Sequence, residues 1–154
     1  LKDNEMRALV FAIGLALAGI PATQALAAKP PIYRSALSPL AVSGYDPVAY
    51  FTVGKPTPGT AEFSTDWNGA TWRFSSAANL AKFKANPTAY APQYGGYCAW
   101  AVANNNTASG DPKFWRIVGG KLYLNYNADI QSKWSKDIPA LIAKGNANWP
   151  SVLK

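Results

Sequence analysis

The chain contains one cysteine and no histidine, and that cysteine sits in an unusual setting. Cys98 follows Tyr94-Gly95-Gly96-Tyr97 and precedes Ala99-Trp100. A thiolate there could act as a nucleophile, as a soft metal ligand or as one half of a mixed disulfide. The paired glycines would let a partner approach closely. A helix starting at this point would lower the thiol pKa. The competing role is structural, because a free cysteine often behaves as a small buried hydrophobe. The absence of histidine removes Ser-His-Asp and Cys-His catalysis, together with histidine-based zinc or haem ligation. With no second cysteine, no internal disulfide can form. Asp46, next to Tyr45 and before Pro47, is the second candidate. It could bind a cation or a donor-bearing ligand, although an aspartate before proline commonly accepts backbone hydrogen bonds in a turn. Asp111-Pro112 reads the same way. The candidate ligand-binding set is therefore Tyr45, Asp46, Tyr94, Gly95, Gly96, Tyr97, Cys98 and Trp100, with Cys98 the one candidate metal ligand. No carboxylate pair suits acid-base catalysis, and no glycine-rich phosphate loop is present.

Several elements must position these residues. Val48–Val53 is aromatic and β-branched and predicts a strand. Residues 61–67 alternate, Asn68-Gly69 is a strong hairpin dipeptide, and residues 70–74 return as the partner strand. Ser75 or Ser76 can cap a helix over residues 77–85, which Asn86-Pro87 ends. Residues 94–102 start with a glycine turn and continue as either a small-residue helix or a buried strand. A second hairpin crosses Gly119-Gly120, joining residues 114–118 to 121–124. Asn127 caps a helix through Trp134, and a last helix covers 138–147 with Pro139 in its first turn. No internal repeat is evident. Antiparallel hairpins with helices between and after them predict a small single-domain α+β fold.

The N-terminus reads as a signal peptide. Met6-Arg7 is a short basic start, Ala8–Ile20 is an uncharged run of 13 residues, and Ala25-Leu26-Ala27 is an A-x-A cleavage site. A membrane-spanning helix needs about 20 residues, so no stable span is expected after cleavage. Residues 1–27 are thus expected to be removed, residues 28–43 to form an extended leader, and residues 44–150 to form the domain. The product would be periplasmic or secreted. The net charge is +7. Residues 1–27 carry Lys2 and Arg7 against Asp3 and Glu5, so the excess positive charge lies in the remainder. It is scattered, with no basic block, and nucleic acid is not an expected partner.

Several segments together resemble the YHS-domain family. They are Gly44-Tyr45-Asp46-Pro47-Val48-Ala49-Tyr50-Phe51, the stretch from Trp67 to Ser76, and Phe83–Tyr90. The segments 93–100, 120–127 and 134–139 resemble a longer exported bacterial branch of that family. The resemblance implies a treble-clef-like scaffold and transition-metal handling. The family's usual metal ligands, however, fall on Ala49, Phe63, Ser75 and Asn79, so the metal-binding pattern is absent at each position.

Two functions follow as expectations. The first is a non-enzymatic accessory module that binds a small ligand, a metal ion or a periplasmic protein, with no cofactor identified. The second is a thiol-dependent redox or metal-handling protein centred on Cys98. A buried, inert thiol favours the first, and an exposed one of low pKa the second.

Overall fold

The computed structural model describes residues 28–154. The expected signal segment, residues 1–27, lies outside the described residues. The fold is α+β, with two separate two-stranded antiparallel sheets and short helices around them.

The first half begins with a 3-10 turn at Ala41–Gly44 and a one-turn helix α1, Ala49–Thr52. Strands β1 (Thr60–Trp67) and β2 (Ala70–Phe74) pair across Asn68-Gly69, both of which have positive φ. Helix α2 (Ala77–Ala85) starts at Ser76, whose Oγ accepts the Asn79 amide at 3.1 Å, and α3 (Pro87–Tyr90) adds one turn. The predicted strand at Val48–Val53 is instead helical. Asp46 Oδ1 accepts the Val48 and Ala49 amides and so starts a turn of helix, overriding the β-branched composition.

The second half follows the same order. A 3-10 turn at Gln93–Gly96 leads into α4 (Ala99–Ala103). The helix reading of this segment prevails over the strand. Strands β3 (Asp111–Val118) and β4 (Lys121–Asn125) then pair across Gly119-Gly120. Helix α5 (Ala128–Trp134) starts at Asn127, whose Oδ1 accepts the Ile130 amide at 2.9 Å. Helix α6 (Ile138–Asn148) closes the fold against α4, and Asn148 Nδ2 donates to the Val102 and Ala103 carbonyls.

The two halves are copies of one backbone unit, which corrects the expectation of no internal repeat. The turns match angle by angle: φ is 50°, 51° and 82° at Val42, Ser43 and Gly44, and 57°, 62° and 85° at Tyr94, Gly95 and Gly96. The Asp46 amide donates to the Thr57 carbonyl, and the Cys98 amide to the Ala108 carbonyl. Gly59 donates to Gly44, and Gly110 to Gly96. Thr60 pairs with Phe74, and Asp111 with Asn125, each followed by a register shift. Even the aromatic packing repeats. Trp72 and Phe83 lie 4.9 Å apart at 34°, and Tyr123 and Trp134 lie 5.4 Å apart at 36°. The correspondence sets Asp46 against Cys98, Ser75 against Tyr126, and Asn79 against Ile130.

Two cores form, and strand β4 of the second unit adds Leu122 and Leu124 to the first. Trp72, Phe74 and Phe83 are buried with Val48 and Tyr50 in one, and Tyr97, Val102, Tyr123 and Trp134 in the other. Full burial of each large apolar side chain contributes about 1.5–3 kcal/mol. Residues 28–43 are not a free leader. Ile32, Ala41 and Val42 are buried, the Lys29 amide donates to the Leu153 carbonyl, and Tyr33 donates to Gly95. The packed structure therefore extends before Gly44 and, through buried Leu153, beyond residue 150. Apolar side chains at 32 and 42 gain more by docking than an extended segment would keep in entropy.

Candidate functional site at Cys98

Asp46 shows what the repeated unit builds at this position. It is fully buried, and its carboxylate accepts five hydrogen bonds. Oδ1 takes the amides of Val48 (2.8 Å) and Ala49 (3.2 Å). Oδ2 takes the Ser75 amide (2.9 Å), the Ser75 hydroxyl (2.7 Å) and Asn79 Nδ2 (2.8 Å). The carboxylate has no face left for an incoming ligand, which assigns Asp46 to the fold rather than to recognition. The same contacts bear on metal chemistry. Three of the four positions where the resemblance places metal ligands, Ala49, Ser75 and Asn79, meet at Asp46. Ala49 brings a backbone amide, and Ser75 and Asn79 act as donors, so a transition-metal ion does not fit this donor set. Phe63 offers it no lone pair.

In the second unit Cys98 takes the place of Asp46, at the N-cap of α4. Its side chain is 1% exposed. Sγ lies 3.6 Å from Asn125 Oδ1, which also accepts the Trp100 amide at 3.2 Å. Burial pushes the thiol pKa above its ordinary value, while the backbone amides of Ala101, Tyr126 and Trp100 pull it down. These three amides match those of Ala49, Ser75 and Val48 around Asp46. The side chains above the nest differ. Where the first unit closes over Asp46 with Ser75 and Asn79, the second has Tyr126 and Ile130, and a cavity of about 340 Å³ remains. Cys98, Trp100, Ala101, Ala108, Tyr126 and Ile130 line it, with Asn104 and Asn106 at its polar part. Lys133 Nζ stands 5.7 Å from the centre of the Trp100 ring. A wider, more polar depression of about 470 Å³ shares Tyr126 with it.

The residues singled out from sequence are thus divided. Only Cys98 and Trp100 share this cavity. Tyr94 is buried, packs near Tyr123 and Trp149, and donates to Asn146 Oδ1 at 3.0 Å. Tyr97 is buried against Tyr33 and donates to the Pro30 carbonyl at 2.9 Å. Both therefore build the core instead of a surface around the thiol. Gly95 and Gly96 form the positive-φ turn that sets this arrangement, and a Cβ on Gly95 would run into the Pro31 carbonyl. Tyr45 is half-buried and packs on the first core.

Residues 48–94 match the family model of the YHS domain. Over that segment the chain is similar to a YHS domain. The match runs from Val48, after the first unit's opening turn and Asp46, and stops at Tyr94, where the second unit's turn lies. No curated protein and no solved structure gives a significant match to the chain.

Sequence reasoning missed Asn125, Ala108 and Ile130. Their signal was available only through the repeat. Gly44-Tyr45-Asp46 aligns with Gly96-Tyr97-Cys98, and with that register in hand Ser75 and Asn79 point to Tyr126 and Ile130.

Proposed function

We propose that the protein is an exported YHS-domain binding module, without catalytic activity of its own, that takes a small apolar ligand in the cavity beside Cys98. The observation that carries this reading is the cavity itself. It is apolar, of a volume usual for small-molecule sites, and opens where the other copy of the unit is closed by polar side chains. Burial of the thiol and its raised pKa favour binding over redox turnover at neutral pH. Export rests on the A-x-A site after a short apolar run. Metal handling through the usual YHS positions finds no support in the donor set around Asp46.

Naphthalene is a suitable probe. Titrated into the protein, it should shift the backbone resonances of Trp100, Ala101, Ala108 and Ile130. Ile130→Trp, which fills the cavity from the surface of α5, should abolish those shifts. Shifts spread over unrelated surfaces, or none, would defeat the reading.

A further inference from the structure

We propose that the polar depression where the two units meet is a second binding site, one that takes the ring of a neutral saccharide. It encloses about 470 Å³, a volume usual for small-molecule sites. Its walls come from distant parts of the chain. Tyr33 belongs to the N-terminal segment and Ser43 to the first unit's turn, while Ser109, Asp111, Tyr126 and Asn127 belong to the second unit. Ligand sites favour such junctions.

The polar groups that converge there keep free hydrogen-bonding capacity. Asp111 Oδ1 takes the Lys113 amide at 2.8 Å, which leaves Oδ2. Asn127 Oδ1 takes the Ile130 amide, which leaves its NH2. Tyr33, Ser43, Ser109 and Tyr126 add hydroxyls that can donate or accept, and none of these has a partner among the described residues. Charge narrows the ligand. No lysine or arginine lines the depression, although the chain carries a net +7, so an anion meets no counter-charge. Asp111 is the one carboxylate in the lining, and the described residues hold no cluster of three metal-ligating side chains, so a metal ion lacks ligands. A lone carboxylate on a positively charged chain is also a poor match for an organic cation. A hydroxyl-rich neutral molecule fits these groups. The rings of Phe114 and Tyr126 complete the match, and Tyr126 is 51% exposed. A sugar ring bears hydroxyls at its edge and C–H groups on its faces. It can lie on an aromatic face while its edge meets the polar groups.

Ser43 sets this depression apart from an ordinary surface hollow. Its φ of 51° and ψ of 29° are left-handed, a conformation that side chains disfavour. The matching residue of the second unit is Gly95, with φ 62°. The first unit thus keeps a side chain where its twin has none, at a conformational cost, and that side chain lines the depression. Residues held in this way cluster at functional sites. The depression shares only Tyr126 with the cavity beside Cys98. The inference uses nothing of the thiol and does not depend on the apolar ligand proposed above.

Methyl β-glucoside, methyl β-galactoside and N-acetylglucosamine, each titrated into the folded full chain and followed by NMR, test it. At least one should shift the backbone resonances of Ser43, Ser109, Asp111 and Asn127 to saturation. Asp111→Asn should weaken that sugar about tenfold, through loss of a charged acceptor. Ser43→Gly should weaken it about fivefold while leaving the thermal midpoint unchanged or higher, because glycine suits the left-handed turn. A purely structural serine would not separate affinity from stability in that way. No saturable shift with any of the three sugars, binding untouched by both substitutions, or tighter binding of choline than of every sugar would overturn the proposal. Naphthalene shifts at Trp100 and Ala101, read on the same samples, report separately on the cavity beside Cys98.

Discussion

Replacing Asp46 by asparagine changes one oxygen into an amide and little else in shape, yet five donors converge on that side chain. An amide can satisfy one side of the cluster. With its oxygen toward Val48 and Ala49, its NH2 faces the Ser75 amide and Asn79 Nδ2. With its oxygen toward Ser75 and Asn79, its NH2 faces the Val48 and Ala49 amides. Either way two donors lose their acceptor, while the Ser75 hydroxyl can rotate. A buried donor left unsatisfied costs about 1–3 kcal/mol. Because Ser75 is half-buried and water can relieve part of that loss, a cost of about 3 kcal/mol is expected for Asp46→Asn. At roughly 3–4 °C per kcal/mol for a chain of this size, the thermal midpoint should fall by about 10 °C. Ser75→Ala removes one donor and leaves four, so it should cost only about 1 kcal/mol. Urea unfolding with matched m-values measures both variants. An Asp46→Asn cost no larger than that of Ser75→Ala would show that the cluster does not organise the first unit.

Gly95→Ala should destabilise by more than the ~1–2 kcal/mol that a left-handed non-glycine residue costs, since its Cβ also meets the Pro31 carbonyl; thermal melts check this, and an unchanged midpoint would refute it. Stability should fall with rising pH. Burial raises the Cys98 thiol and the phenols of Tyr50, Tyr94, Tyr97 and Tyr123. Their contribution is therefore complete below the unfolded values, about 8.5 for a thiol and about 10 for a phenol, and is lost as pH climbs through the folded ones. Cys98→Ala should flatten the first part of that loss, and an unaltered pH profile would contradict it. Zinc titrated into Cys98→Ser protein should show no stoichiometric tight binding; a chromogenic competitor reads this, and tight uptake would restore metal handling at the Asp46 cluster. N-terminal sequencing of exported protein should begin near Ala28; full-length chain held in the membrane would oppose the export reading.

Much of the local structure was legible because it is coded locally. Asn68-Gly69 and Gly119-Gly120 supply the positive φ that a two-residue hairpin needs, and both hairpins formed there. Ser76 and Asn127 cap the helices that follow them, as their side-chain oxygens allow. The segment after Pro47 was misread because its composition favours a strand while one buried carboxylate, Asp46, imposes a helical turn through two amides. Residues 28–43 looked like a leader because their proline and serine content conceals Ile32 and Val42, whose burial depends on surfaces far along the chain.

The sequence by itself determined which chemistries are closed. Without histidine or a second cysteine, no arrangement of the backbone can produce a Cys-His pair or an internal disulfide. It also determined the positions of the turns and caps, which depend on neighbouring residues only. The tertiary structure alone decided that Asp46 and Cys98 are counterparts. The two units share a backbone course and few side chains, so their kinship lies in hydrogen-bond registers and φ angles rather than in residue identities. It also decided that Cys98 is buried below a cavity while Tyr94 and Tyr97 belong to the core. Which of several aromatics beside a glycine turn faces inward depends on what packs against them, and here Trp149, Tyr33 and Pro30 arrive from opposite ends of the described chain.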